Sequence, residues 1–146
     1  MNTILCAVDF SDVATRVASV AGTMAMAFDA RVVLLHVAPP EPSFVSFEPG
    51  PQSERDFRAA ELRQEHRDLQ TLAEALEAEG VTVEPLMVPG ATVEKILDEA
   101  ERLEADVVVL GSHGHSALYD LLVGSVAEGV MRKAKCPVLI VPAKTE

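Results

Sequence analysis

Aromatic side chains are scarce in this sequence of 146 residues, which has no tryptophan, five phenylalanines and one tyrosine. Its core must therefore be aliphatic, because apolar residues still make up 49% of the chain. A chain of this length buries about 68–70% of the surface that it exposes when unfolded. We expect one domain over residues 1–146 that needs no disulfide bonds to hold it together.

Cysteines and long apolar runs are also few. Cys6 and Cys136 each lie within an apolar, strand-like run, and neither belongs to a CxxC motif. Both are predicted to be buried free thiols, because cysteine is among the most often buried residue types. The N-terminal stretch MNTILCAVDF has no basic region and only a short apolar run, which predicts neither a signal peptide nor a membrane span. A cytoplasmic location is the default expectation.

Positive charge is the third scarcity. The chain has 12 lysines and arginines against 23 aspartates and glutamates, which gives a formal net charge of -11. Sequence-independent binding to nucleic acid or to an anionic membrane requires clustered lysine and arginine. The sequence has no such cluster, so we expect neither nucleic acid nor a membrane as a partner.

Apolar runs alternate with helical periodicity from end to end. Strands are predicted at residues 3–8, 31–37, 81–88, 106–110 and 137–141, with four helices between them, the second ending at a Gly80 C-cap. Runs that are apolar on both faces indicate a parallel sheet covered by helices. Right-handed crossovers then favour an α/β fold, a Rossmann-like doubly wound sheet of strand order 3-2-1-4-5. Glu84 and Pro85 make the third run an edge strand, because proline cannot donate to an interior ladder.

Residues 39–56 interrupt this alternation with five of the nine prolines. This composition is expected to continue neither the strand before it nor the helix after it. Two interpretations stay open: a mobile surface connection, or a lid or docking loop that uses the apolar side chains of Phe44, Val45 and Phe47.

The candidate binding site lies at the carboxyl ends of the strands. Open α/β sheets bind ligands there, where the strand order reverses, so Asp9 and Gly111 should form opposite lips of one crevice. After the fourth strand the chain reads GSHGHSALYDLLVGS, a G-x2-G-x9-G-[ST] pattern made by Gly111, Gly114, Gly124 and Ser125. Glycines let a phosphate approach the backbone, and a helix N-terminus attracts anions. Ser125 is expected to be an N-cap, a phosphate ligand, or both.

This pattern resembles the ATP-binding signature of the universal stress protein family. The resemblance runs through the whole chain, from TILCAVDFSD through VVLLHV and GATVEKILDEAE to DVVVLGSHGHSALYDLLVGSVAEGVMRKAKCPVLIVP. It implies a Rossmann-like five-stranded sheet and a homodimer formed through the last strand, from Pro137 to Val141. The chain departs from many relatives at Ala117 and Asp120, where glycine and a basic residue are common.

The resemblance also implies a set of binding residues for ATP, or for AMP or ADP. Asp9 would lie against the adenosine, and the backbone of Val37 would meet the adenine. The loop after the fourth strand would wrap the ribose and the phosphates, with Mg²⁺ held through the phosphates. The expected cofactor-binding residues are Val8, Asp9, Val37, Gly111, Ser112, His113, Gly114, His115, Gly124, Ser125 and Val126.

The loop holds few groups suited to catalysis. Between Arg102 and Arg132 there is no lysine or arginine, whereas phosphoryl-transfer enzymes use such cations on the terminal phosphates. His113 and His115 raise a zinc hypothesis with Cys136 or Asp9, but no third ligand has convincing spacing, and we expect no metal site formed by the protein alone.

Three classes of function follow from these observations. The first, which the intact pattern favours, is a regulatory stress-response module that binds an adenine nucleotide and signals to an unknown protein partner. The second is a slow ATPase or another adenine-nucleotide enzyme. The third is a dimerising interaction protein with a vestigial pocket.

His36 lies inside a buried strand and is expected to be a hydrogen-bonded core residue.

Overall fold

The computed structural model of this protein describes residues 1–38, 52–112 and 123–143. Within these ranges, nine elements alternate strictly between strand and helix. In chain order they are β1 (Thr3–Ala7), α1 (Ala14–Phe28), β2 (Arg31–Ala38), α2 (Gln52–Ala78), β3 (Val83–Pro89), α3 (Thr92–Arg102), β4 (Val107–Gly111), α4 (Ser125–Lys133) and β5 (Val138–Val141). Among the described residues, no helix is long and apolar enough to cross a membrane.

The five strands form one parallel sheet of order β3-β2-β1-β4-β5. This confirms the predicted α/β fold and its strand order. Leu5 lies at the centre, paired with Val33 of β2 on one side and Val108 of β4 on the other. Pro85 pairs with Leu34 but lies in the edge strand β3, as predicted, so the nitrogen of Pro85 leaves no gap inside the sheet.

Two aliphatic cores cover the two faces of the sheet. On one face α1 and α2 pack against β1 and β2, with Val17 of α1 and Leu69 of α2 almost fully buried. On the other face α3 and α4 supply Ile96 and Val130. Alternate side chains of each strand enter opposite cores, which explains why the central strands are apolar at nearly every position.

The end of α2 shows how local sequence ends a helix here. Gly80 has a φ of 94°, which glycine adopts without the steric cost of a Cβ atom. The N–H of Gly80 donates to the carbonyl of Glu77, and the N–H of Val81 donates to that of Leu76. These two bonds make a Schellman ending, with buried Leu76 and Val81 as its apolar pair. The predicted C-cap is confirmed.

The start of α2 corrects one prediction. The helix begins at Gln52, so residues 52–56 are helical, although the whole segment 39–56 was expected to continue neither element. From Gln52 to Glu79 the sequence has no proline and no glycine, so nothing local prevents the helix from extending toward its N-terminus. Phe44, Val45 and Phe47 lie outside the described residues, and the two interpretations of that segment stay predictions.

The two thiols differ in environment. Both cysteines are free, as predicted; Cys6 is fully buried in β1, and burial raises the pKa of its thiol to about 12. Cys136 is only partly buried, so the prediction of burial is wrong for this residue. It precedes β5, and an edge strand has neighbours on one side only.

One carboxylate binds the first residues of the chain to the start of β4. Asp106 Oδ2 accepts hydrogen bonds from Asn2 N (2.6 Å) and Thr3 N (2.9 Å), and Asp106 N donates to Thr3 O. The hydrogen bond from Thr3, followed by that from Asn2, lowers the pKa of Asp106. Ionised Asp106 therefore joins the amino ends of β1 and β4.

Because this pKa is lower in the folded protein than in the unfolded chain, Asp106 stabilises the fold above the unfolded value, and the stabilisation disappears as the pH falls through the folded value. Asp106→Asn should therefore lower the free energy of unfolding at pH 7. The difference from the native protein should shrink once the pH drops below about 4. Urea unfolding at a series of pH values measures this, with Asp98→Asn on the exposed side of α3 as the control. A difference that is independent of pH would contradict the assignment.

Candidate functional site

The carboxyl ends of β1 and β4 are neighbours, and the strand order reverses between them. The chain leaves β1 at Ala7 for α1 on one face, and it leaves β4 at Gly111 for α4 on the other. Asp9 and Ser112 therefore start two connections that diverge from adjacent strand ends. The strand ends therefore have the switch-point arrangement that the sequence predicted, and the crevice expected there stays a prediction.

The lip after β1 is a tight turn. The carboxylate of Asp9 accepts a hydrogen bond from Ser11 N through Oδ1 at 2.9 Å, which folds the side chain back over its own turn. Phe10 follows with a φ of 60°, a left-handed conformation that costs a residue with a Cβ atom about 1–3 kcal/mol. The ring of Phe10 packs on the imidazole of His36, with centroids 4.5 Å apart. Tertiary packing thus holds a turn that the local sequence does not favour.

The lip after β4 is anchored through Ser112. Its N–H donates to Val141 O at 2.9 Å, and its hydroxyl accepts a hydrogen bond from Ala143 N at 3.2 Å. The N–H of Gly124 donates to the carbonyl of Ser112. The connection between β4 and α4 therefore returns to its own starting point. His113, Gly114 and His115, as well as Ala117 and Asp120, lie outside the described residues.

This closure brings the N-terminus of α4 to the carboxyl edge of the sheet. Gly124 occupies the N-cap position and Ser125 is the first helical residue, so the N-cap prediction for Ser125 is wrong. The first intrahelical bond runs from Glu128 N to Gly124 O, and helix geometry gives the N–H groups of Ser125, Val126 and Ala127 no intrahelical acceptor. A glycine N-cap has no side-chain oxygen that would use these donors.

Val8, His36 and Val37 lie at or near the carboxyl ends of β1 and β2. Val8 and Val37 are both 7% exposed, and the N–H of Val8 donates to Leu35 O, which joins the ends of β1 and β2. His36 is buried and its Nδ1 lies 2.9 Å from Val8 O, so the prediction of a hydrogen-bonded core histidine is confirmed.

Arg16 was missed by the sequence reasoning. Its Nη1 donates to Pro142 O at 2.8 Å, so a guanidinium from the first turn of α1 lies at the carboxyl edge beside the end of β5. The available signal was its position. A basic residue in the first turn after a predicted strand must lie at the edge where that strand ends.

The zinc hypothesis loses one of its ligands. Cys136 precedes β5 and therefore lies at the amino edge of the sheet, in a groove of about 230 Å³ shared with Leu97 and Lys133. Asp9 follows β1 at the opposite edge, about 15 Å away for strands of four or five residues. Among the described residues, no group of three or more histidines, cysteines, aspartates or glutamates has the geometry to hold a metal ion.

Comparison with known proteins agrees with this architecture. The pattern of the Universal stress protein family matches residues 1–142. A universal stress protein of Thermus aquaticus, from the region 3' of the QAH/OAS sulfhydrylase gene, is 37% identical over 141 residues, covering 96% of this chain and 98% of that protein.

Solved structures show the same fold. Protein MJ0577 of Methanocaldococcus jannaschii superposes with a TM-score of 0.84 at 30% identity, over 99% of this chain and 98% of its own. A universal stress protein in complex with cAMP superposes with a TM-score of 0.72 at 26% identity, over 98% of each chain. With the family pattern matched over nearly the whole sequence, this chain belongs to the universal stress protein family.

Proposed function

We propose that this protein is a regulatory stress-response module that binds an adenine nucleotide in the crevice between β1 and β4. The observation that carries the proposal is the N-terminus of α4. There Gly124 closes the loop onto Ser112 and leaves the next backbone donors without intrahelical acceptors. Such an array of N–H groups attracts phosphate. The cAMP complex of a relative with the same fold supports an adenine nucleotide as the ligand.

In the proposed complex the ligand spans both lips of the crevice. Asp9 contacts the adenosine, and the backbone around Val8 and Val37 forms the adenine floor. Phosphates lie at the other lip, on backbone donors of the loop and of the α4 N-terminus. The residues proposed for that lip are Gly111, Ser112, His113, Gly114, His115, Gly124, Ser125 and Val126.

Charge makes a divalent cation part of this proposal. ATP adds several negative charges to a protein whose formal charge is -11. A helix N-terminus contributes about 0.3–2 kcal/mol per charge, too little to hold a triphosphate by itself. Mg²⁺ bound to phosphate oxygens and water supplies the remaining neutralisation. Arg16 adds positive charge at the same edge, and its guanidinium is already held by Pro142 O.

A regulatory role is favoured over catalysis. The loop segment between Arg102 and Arg132 has no lysine or arginine to stabilise a transferring phosphoryl group. A slow ATPase is the second candidate, and turnover above about 1 s⁻¹ would establish it. A vestigial pocket in an interaction protein is the third, and absence of nucleotide binding would favour it. A cytoplasmic location and a protein partner belong to the same proposal.

Calorimetry with ATP and with adenosine tests the proposal. Removal of divalent cations with EDTA should weaken ATP binding about 10–100-fold and leave adenosine nearly unchanged, because only ATP carries phosphates. Asp9→Ala should weaken the binding of both ligands by a similar factor. Gly114→Val should abolish binding, since its side chain fills space that the proposal gives to phosphate.

The matched control is Asp12→Ala, because Asp12 is an exposed carboxylate three residues after Asp9. It should bind both ligands as the native protein does, and circular dichroism should show every variant folded. Tight ATP binding in excess EDTA, or by Gly114→Val, would overturn the mechanism.

We also propose that the protein is a homodimer formed through β5. This strand is an edge of the sheet, with Leu139 exposed and Val138 and Ile140 half-buried. Edge strands with apolar side chains and unpaired backbone groups tend to pair with another chain. Antiparallel pairing of two copies would cover both strands at once.

A further inference from the structure

His36 joins three parts of the fold that are distant in sequence. The residue lies two positions before the end of β2 and is 5% exposed. Its Nδ1 lies 2.9 Å from Val8 O, its ring packs on Phe10, and its Nε2 lies 3.3 Å from Glu65 Oε2 of α2. One imidazole thus contacts the strand before the Asp9 turn, the turn itself and the long helix that covers them.

The partners of the ring determine which nitrogen carries a proton. A carbonyl oxygen only accepts hydrogen bonds, so Nδ1 must be protonated to bind Val8 O. Nε2 and Glu65 Oε2 are both buried 3.3 Å apart, and neither has a hydrogen-bond partner among the described residues. Two unprotonated atoms at this distance would repel each other. A hydrogen bond between the two atoms, with the proton on either one, would satisfy both and keep the ring oriented with Nδ1 toward Val8.

That orientation fixes the peptide group that precedes Asp9. The N–H of Val8 is held by Leu35 O, and the carbonyl of Val8 is held by His36. With both sides of Val8 bound, the direction in which the chain enters the Asp9 turn is set. Phe10, in its left-handed conformation, packs against the same imidazole.

We propose that His36, oriented by Glu65, is a positioning residue that holds the Asp9 turn in the geometry needed for nucleotide binding. The Val8 carbonyl transmits the effect, and Glu65 makes the position of the turn depend on the docking of α2. The role in binding rests on the proposed nucleotide function, whereas the role in shaping the turn does not.

Two isosteric variants separate the two hydrogen-bonding ends of the ring. His36→Asn keeps a donor at the Nδ1 position and loses the group facing Glu65. His36→Gln keeps a polar group facing Glu65 and loses the donor to Val8. If the bond to Val8 positions the turn, His36→Asn should bind ATP within about threefold of the native protein, whereas His36→Gln should bind about tenfold more weakly.

Variants of Glu65 test whether this carboxylate orients the His36 ring. Glu65→Gln supplies an amide donor to Nε2 and should leave ATP affinity unchanged, whereas Glu65→Leu leaves Nε2 without a partner and should weaken binding. Equal weakening by His36→Asn and His36→Gln would show that the imidazole acts only by packing, which would overturn the proposal. ATP binding by His36→Gln at native affinity would also overturn the proposal.

Nuclear magnetic resonance tests the positioning role without nucleotide. In the native protein, long-range ¹H–¹⁵N spectra should show His36 protonated at Nδ1, and the tautomer protonated only at Nε2 would contradict the proposal whether or not any variant folds. Backbone shifts of Asp9, Phe10 and Ser11 should change in His36→Gln and stay near native in His36→Asn. If native protein fails to bind ATP, the proposed function and the binding role of His36 both fall, and these spectra still decide whether His36 shapes the turn.

Discussion

Ile140→Pro should convert the proposed dimer into a folded monomer. The register of β5 gives the reason: Pro137 O and Val141 O accept hydrogen bonds from β4, from Val108 N and Ser112 N. Because backbone groups alternate in direction along a strand, those of Leu139 also face β4, and those of Val138 and Ile140 face the open edge. Proline at 140 removes an outward N–H and leaves the ladder to β4 in place.

Ile140→Ala is the matched control, because it also removes the packing of the isoleucine side chain against the α3–α4 core and keeps the outward N–H. It should remain a dimer at micromolar concentration, while Ile140→Pro sediments as a monomer with a native circular dichroism spectrum. Sedimentation equilibrium distinguishes the two. A native protein that is monomeric, or an Ile140→Pro variant that still dimerises, would refute the proposed β5 interface.

Leu5→Ala should strongly destabilise the fold. Leu5 is fully buried in the central strand β1, between Val33 and Val108, within the core that contains Ile96 and Val130. Removing a leucine side chain from such a site costs about 2–5 kcal/mol, since strands on both sides limit how far the cavity can collapse. Domains of this size are stable by about 5–15 kcal/mol in total. The expected loss is therefore a large fraction of the whole.

Urea unfolding measures the change, and the melting temperature should fall by about 5–15 °C. Met26→Ala is the control, because Met26 is 51% exposed on α1 and alanine is at least as good a helix former as methionine. It should change the free energy of unfolding by less than about 0.5 kcal/mol. A loss below 1 kcal/mol for Leu5→Ala would mean that the core around β1 is looser than its burial indicates.

The sequence predicted the fold because each strand shows its burial in its composition. Runs such as residues 31–37 and 106–110 are apolar at consecutive positions, which only a strand covered on both faces requires. Pro85 identified an edge strand for the same local reason, and Gly80 marked a helix end through its backbone freedom. Some element boundaries differ from the predictions by a few residues. The helix α2, for example, extends toward its N-terminus until it reaches the prolines before Gln52.

The site was predicted only as far as local motifs reach. The placement of Asp9, Gly111 and Gly124 at the carboxyl edge of the sheet follows from the strand ends and the glycine spacing, and their binding role stays a prediction. Arg16 and Phe10 were missed, because their importance comes from contacts with Pro142 and His36, 126 and 26 positions away. The N-cap was assigned to Ser125 one residue too late, since sequence alone does not show where the first helical dihedral angles begin.

The sequence by itself determined the parallel sheet and its strand order, because hydrophobic periodicity is encoded locally, and its glycine spacing placed the candidate site at the carboxyl edge. Only the tertiary structure decided that His36 bridges the Asp9 turn and α2. A buried imidazole must satisfy both ring nitrogens, and Val8 and Glu65, 28 and 29 residues away on either side, come within reach only after the sheet and helix have packed.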